Sequence, residues 1–316
     1  MDHKNDMTDI LPENDALPVA DNFEILEEEL LPPVNEFKRF MKVFFKRKIV
    51  IVGAVIIVIV LLTAALADVI APYGYNDQDL YNVLQPPSSE FILGTDALGR
   101  DLFSRIIHGT RIVLSVGVST VLVSAFIGTL LGLIAGYFEG IVGTVIMRMT
   151  DAMMAIPSLI LSLIVAAILN TGVVGIVIAI AISLFPGYIR LINGQVLSAK
   201  QNDYVMASRS MGAKKRRIIL KHVLPNCLSP LIVQMTMMIG IAILSEASLS
   251  FLGLGILPPT PSWGSLCFDG YKYLLRAPLL SLAPGFAIMI LVFAFNMVGD
   301  GLRDALDPKL RGTSEN

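Results

Sequence analysis

The chain alternates long apolar runs with short polar connections, and the runs show no period-two alternation. A transmembrane helix takes about 20 largely apolar residues. Six stretches meet that length to within a few residues, at 49–67, 112–136, 152–169, 173–192, 228–252 and 279–298. Backbone groups in hydrocarbon must satisfy one another, so uninterrupted runs of this kind predict helices and exclude a barrel. The pattern predicts an all-α membrane protein with six transmembrane helices. Gly128, Gly132 and Gly136 recur every fourth residue of the second span, a spacing that lets helix backbones approach closely. Pro157 lies inside the third span, where it frees a backbone carbonyl and is expected to bend the helix.

Charge sets the orientation. Lys38, Arg39, Lys42, Lys46, Arg47 and Lys48 precede the first span; Lys200, Arg209, Lys214, Lys215, Arg216, Arg217 and Lys221 lie between the fourth and fifth; Arg303, Lys309 and Arg311 follow the sixth. These groups share one side of an even-numbered bundle, and basic loops favour the cytoplasm, so both termini are expected to be cytoplasmic. Composition agrees with a membrane protein: 54% of residues are hydrophobic and 16% charged, too apolar for a soluble chain of 316 residues. The net charge of −2 gives no reason to expect a nucleic-acid partner. The acidic, Pro-containing start is unlike a cleavable signal peptide, so the first apolar run is expected to stay as an anchor. Cys227 and Cys267 fall on opposite sides of the bilayer in this topology, which rules out a disulfide between them.

Two polar connections carry the most information. Between the fourth and fifth spans the chain reads Asp203, Tyr204, Val205, Met206, Ala207, Ser208, Arg209, Ser210, Met211, Gly212, then a basic run, then His222, Val223, Leu224, Pro225. Asp203 suits the N-cap of a short helix, Gly212 its left-handed end, and Pro225 the start of the next span. A helix, a turn and a second helix are therefore expected beneath the membrane. Ala207 and Ser208 are small enough for close docking, with Arg209, Lys214 and Arg216 placed to meet acidic partner groups. Between the first two spans stands Leu93-Gly94-Thr95-Asp96-Ala97-Leu98-Gly99-Arg100-Asp101-Leu102-Phe103-Ser104-Arg105. Here Asp101 is expected to start an amphipathic helix whose Leu102, Phe103, Ile106 and Ile107 face the membrane. Asp96 and Asp101 lack the density of oxygen ligands that calcium needs.

The segment 203–225 resembles the EAA loop of ABC importer permeases: Glu-Ala-Ala, three residues, Gly, nine residues, Ile, one residue, Leu-Pro. Gly212, Leu224 and Pro225 keep the spacing, while Met206, Ser208 and His222 replace the Glu, the second Ala and the Ile. The segment 93–111 resembles the hallmark of the dipeptide, oligopeptide and nickel importer permeases, in the second, C-type, of their two paired membrane subunits. Residues 37–49, 250–255, 258–264 and 299–308 extend the likeness, so that it runs from about Phe37 to Arg311. It implies the binding-protein-dependent (type I) ABC importer permease fold, in the bacterial inner membrane. It also implies a homologous second permease as partner, two cytoplasmic ATPase subunits and an extracytoplasmic solute-binding protein, with membrane lipid around the bundle. The chain contains no Gly-x-x-x-x-Gly-Lys-Ser/Thr loop. ATP and Mg are therefore expected on the partner ATPases and no cofactor or metal on this chain, which is not an enzyme. The resemblance makes Asp203, Tyr204, Ala207, Ser208, Arg209, Gly212, Lys214, Arg216, Leu224 and Pro225 the ATPase-coupling residues. The substrate class it implies is dipeptides or oligopeptides, or alternatively nickel; an ion-gradient-driven transporter is the rival mechanism.

Domain organisation follows: an acidic tail at 1–36; a basic lead-in, first span and extracytoplasmic loop at 37–110; a five-helix core at 111–303 with the coupling loop at 200–225; and a tail at 304–316. Ionisable groups inside a span are functional candidates by default. Arg148 and Asp151, spaced to pair on one helix face, and Asn296 with Asp300, also sharing a face, are expected at the inner mouth. Glu246, about 30 Å beyond Asn226 along its helix, is expected at the water boundary of the outer mouth. These five are the pathway or gate candidates. Asp96, Arg100, Asp101 and Trp263 are expected to face the binding protein.

Overall fold

The computed structural model describes residues 36–138, 140–169 and 172–306. The acidic tail, with the short amphipathic helix its Glu24–Leu31 pattern suggests, and the residues from 307 onward lie outside the described residues. The chain divides near Lys42 into two units, and everything below concerns the second, Val43 onward. Among the described residues the regular elements are all helical: α1 (Glu36–Phe44), α2 (Lys48–Ala65), α3 (Ala67–Ile70), α4 (Leu102–Tyr137), α5 (Ile141–Met154), α6 (Ser158–Leu169), α7 (Gly172–Ala199), α8 (Asp203–Ser210), α9 (Lys215–Ile218), α10 (Leu224–Phe251), α11 (Trp263–Tyr271) and α12 (Leu279–Leu306). A π-helical turn, Ile219–Val223, joins α9 to α10.

Among the described residues five helices are long and apolar enough to cross a membrane, and a bent pair of helices makes a sixth when taken as one broken span. The expected third span, 152–169, is not a continuous helix. Its chain belongs to two helices, α5 and α6, bent by 93° across a break at residues 155–157. Pro157 accounts for the break, because it has no N–H to donate and it restricts Ile156 to extended conformations. The amphipathic helix expected after Asp101 is not separate either. It is the first turns of α4, which runs unbroken for 36 residues, about 54 Å and well beyond the hydrocarbon thickness. Leu102 and Ile107, expected to face lipid, are buried inside the protein, because the preceding loop and α11 cover them: Tyr73 N donates to Ser104 Oγ at 3.1 Å and Trp263 Nε1 donates to the Ile106 carbonyl at 2.9 Å.

The glycine series on α4 is an intrachain seam. A Cβ on Gly132 would stand 2.7 Å from Ile192 Cβ, and one on Gly136 would stand 2.7 Å from Val196 Cβ, both on α7. Tyr188, Ile192 and Val196 bury against Val121, Ala125 and Leu133 along the same seam. A second cluster joins α4, α10, α11 and α12 through Val113, Ile243, Trp263 and Leu291. By contrast α2 is apolar all round and leaves Ile51, Val55, Val58, Ile59 and Leu62 exposed, the surface a lipid-facing helix needs. It touches the bundle where Gly53 approaches the Ala294 carbonyl of α12 and where Val50 is wholly buried.

Candidate functional site

The connection between α7 and α10 folds as the sequence predicts in outline and differs in detail. The N-cap of α8 is Asn202, at φ −70 and ψ 137, and makes no side-chain cap bond. Asp203 is the first helical residue, where its carboxylate meets the positive end of the helix dipole instead of accepting a cap hydrogen bond. Gly212 has φ +79, the left-handed ending expected of it. Tyr204, Met206, Ala207 and Arg209 are exposed on α8, as are Lys214, Lys215, Arg216 and Arg217 after it. Ser208 is an exception to the expected docking face, being only 8% exposed with its side toward the groove beside α9. Leu224 is half-buried and Pro225 exposed at the first turn of α10.

Tyr204 ties α8 to α10. Its hydroxyl accepts from Asn226 Nδ2 at 2.8 Å and from Asn202 Nδ2 at 3.3 Å, and its ring lies 6.1 Å from that of His222. Val205 is buried beneath it. Lys200 closes the same end of α4, donating to the carbonyls of Gly136 and Tyr137 at 3.3 and 3.5 Å, where a cation complements the helix dipole.

At the opposite end of α4, the four residues expected to face a binding protein are instead buried, three in the loop before α4 and Trp263 at the start of α11. Asp96, Arg100, Asp101 and Trp263 are 7%, 6%, 3% and 3% exposed. Asp101 caps α4, accepting from Ser104 N at 2.7 Å. Asp96 accepts from the backbone of Leu98 and Arg100, and its Oδ2 accepts from Arg100 Nε at 2.7 Å and forms an ion pair with Arg105 Nη1 at 3.3 Å without a hydrogen bond. Gly99 has φ +71, and any Cβ there would strike the Asp79 carbonyl, which is why the motif needs glycine between Asp96 and Arg100. The motif is thus a built scaffold whose outer surface is shaped by its neighbours. Beside it, Asp68 pairs with Arg111 at 3.0 Å, and that guanidinium holds the Asp68 carboxyl below the usual range.

Glu246 is not at a water boundary. It is 1% exposed, with Oε1 accepting from Ser250 Oγ at 2.7 Å and Oε2 without a hydrogen-bond partner among the described residues. Ser262 continues the chain of hydroxyls at 3.3 Å from Ser250, and Gly264 of α11 presses against Ala247 of α10, so the carboxyl is enclosed where these helices cross. Asn296 and Asp300 are exposed on α12. The expected pair Arg148–Asp151 is loose, 3.9 Å, whereas Arg190 of α7 donates to Asp151 Oδ1 at 2.6 Å. Arg190 is the residue that the sequence reading missed; its signal was a lone charge inside the apolar fourth span. Among the described residues no cluster of His, Cys, Asp and Glu is arranged to hold a metal ion.

Two family models match the chain: the binding-protein-dependent transport system inner membrane component over residues 128–312, and the N-terminal transmembrane domain of oligopeptide transport permease C over residues 35–87. The chain is 44% identical to a di/tripeptide transport system permease of Pseudomonas aeruginosa over 286 residues, covering 89% of this chain and 94% of that one. It is 42% identical to a glutathione transport system permease of Pectobacterium atrosepticum, covering 87% and 92%. It is also 43% identical to a dipeptide transport system permease of Haemophilus influenzae, covering 88% and 97%. Among solved structures, an inward-facing methionine ABC transporter matches at 20% identity with a TM-score of 0.50, covering 65% of this chain and 98% of that one, a likeness of fold. The broken third crossing, the helix-turn-helix between α7 and α10 and these near-full-length matches lead to one conclusion: the chain belongs to the inner-membrane permease components of binding-protein-dependent ABC importers, as a non-catalytic, C-type membrane subunit.

Proposed function

We propose that this chain forms half of the passage of an ATP-driven importer of dipeptides or oligopeptides, paired with a homologous second permease. Two ATPase subunits, which hold the ATP and Mg, dock on α8, and a solute-binding protein delivers substrate to the opposite end. The chain itself binds no cofactor. What most supports the peptide reading is that relatives matching nearly the whole chain are named for di/tripeptide, dipeptide and glutathione transport. All of these are small peptides with free carboxylates. The basic excess around α8 supports a cytoplasmic position for that end of the bundle, and hence for both termini.

Coupling would run through Asp203, Tyr204, Ala207, Arg209, Gly212, Lys214 and Arg216, with Ser208 shaping the groove behind them and Leu224 and Pro225 opening α10. Closure of the ATPases moves α8; the Tyr204–Asn226 hydrogen bond and the π-helical turn pass that movement into α10. Discontinuities of this kind are where helices bend most readily. Arg148, Asn296 and Asp300, which are exposed, and the half-buried Asp151 are the polar groups we assign to the passage.

The test is uptake by the complete transporter in proteoliposomes with ATP inside. Accumulation of dialanine that needs both ATP and the binding protein is the expected result. Uptake of nickel but not of dialanine would overturn the substrate class, and dialanine uptake driven by an ion gradient without the ATPases would overturn the mechanism.

A further inference from the structure

We propose that Arg190, held in place by Asp151, lines the water-filled part of the passage and receives the carboxylate of the peptide crossing it; this rests on the peptide-importer reading above. Arg190 stands nine residues before the end of α7 and eighteen after its start, about 13 and 27 Å along the axis. It stands two residues inside the inner end of the apolar run 173–192, at the level expected of the inner mouth. Its side chain is 52% exposed and that of its partner Asp151 43% exposed, with Arg148 at 81%. Ionisable groups within a span mostly face the bundle interior or a water-filled cavity, and a cation already paired with a carboxylate on a neighbouring helix is turned toward the protein.

The geometry of α7 separates these faces. Tyr188, Ile189, Ile192 and Val196 turn toward the glycine seam of α4. At 100° per residue, Ser183, Gly187, Arg190, Gly194 and Leu197 line the opposite face. A Cβ on Gly187 or Gly194 would meet nothing within 4 Å, so open space lies on either side of the guanidinium along the helix.

Charge balance favours a passage over a dry subunit contact. One carboxylate, Asp151, stands against two guanidinium groups, Arg190 at 2.6 Å and Arg148 at 3.9 Å. The cluster keeps a positive surplus and unused N–H donors, which a carboxylate satisfies in a two-pronged geometry. Asp151 sits in the last turn of α5, beside the 93° break, so the pair also links that bend to α7. A substrate carboxylate competing with Asp151 for Arg190 would be met at the bend that shapes the passage.

The test uses the complete transporter with Cys227 and Cys267 replaced by Ala. Arg190→Cys, and Gly194→Cys one turn away, which leaves the cation in place, are treated with a charged, water-soluble thiosulfonate. Both should react, and dialanine during ATP turnover should slow the reaction at Gly194→Cys, where Arg190 is intact, by about threefold or more, and leave that at Arg190→Cys unchanged. In parallel, Arg190→Gln should lower dialanine uptake by about tenfold or more, and the exchanged pair Asp151→Arg with Arg190→Asp should leave it equally low. An unreactive cysteine at both positions would place this face in a subunit contact and overturn the inference. Uptake restored by the exchanged pair would reduce the pair to a brace and overturn it also. Failure of the wild-type complex to take up dialanine overturns the peptide reading and this inference together; normal wild-type uptake with unreactive cysteines overturns this inference alone.

Discussion

Asp96 is the smallest unit on which a large part of the fold depends. Its carboxylate serves two buried guanidinium groups and two backbone amides at once, so removing its charge strands cations that water cannot reach. Asp96→Asn should cost roughly 3–5 kcal/mol, read as a lowered melting temperature of the purified complex. An unchanged melting temperature would mean that Arg100 and Arg105 find other partners. Gly212 makes a different demand. Nothing lies within 4 Å of its open side, so a side chain there meets only backbone strain, not a clash. Gly212→Val should cost roughly 1 kcal/mol or more, whereas Gly212→Asn, which tolerates the left-handed region, should behave nearly as wild type. The check is the yield of ATPase subunits co-purified with each variant. Two roles at this scale were legible from residue type and position: the cap at Asp101 and the positive φ at Gly212. The burial of Asp96, Arg100 and Trp263 was not, because a short loop motif carries no sign of which later segment will cover it; α11 supplies that cover from more than 150 residues away.

The helices themselves were read with uneven success, and the reasons are physical. Apolar length located the spans well because hydrocarbon imposes one requirement on all of them. It did not place the break between α5 and α6, since Met153, Met154, Ala155 and Ile156 are as apolar as a continuous helix would be. Only Pro157 signalled a bend, without its 93° size. The apolar start of α4 was assigned to lipid because periodicity shows that a face is buried, not what buries it. The α4–α7 seam follows directly from the four-residue glycine repeat. Gly132→Leu forces a branched side chain toward Ile192 and the Ile189 carbonyl, and overpacking of this kind costs about 1–3 kcal/mol. A reduced melting temperature with normal membrane insertion is expected. Between α8 and α10, Tyr204→Phe removes the exposed hydrogen bonds from Asn226 and Asn202, each worth about 1 kcal/mol or less to stability. Under the proposed coupling it should nevertheless reduce the uptake obtained per ATP hydrolysed. Unchanged stoichiometry would remove Tyr204 from the route.

At the scale of the whole molecule, polar and apolar surfaces sort by position along the bundle. Exposed aliphatic side chains belt α2, α5, α6 and α12, as a protein solvated by lipid requires, while the exposed cations gather around α8 and α9. Opposite them, the loop organised by Asp96 and the crossing of α10 with α11 at Glu246 form a closely packed end, and the break between α5 and α6 lies apart from both. A closely packed end, a bent crossing and an exposed helical elbow are the parts needed for a movement at one end to reshape a passage at the other. The central claim is that the ATPase subunits grip the elbow. A photo-reactive side chain at Ala207 in the assembled transporter tests this most directly, with one at Leu275, fully exposed in the segment between α11 and α12, as the control. The account predicts capture of an ATPase subunit from Ala207 and none from Leu275. Capture of no nucleotide-hydrolysing protein from Ala207, or its labelling from outside intact cells, would contradict it.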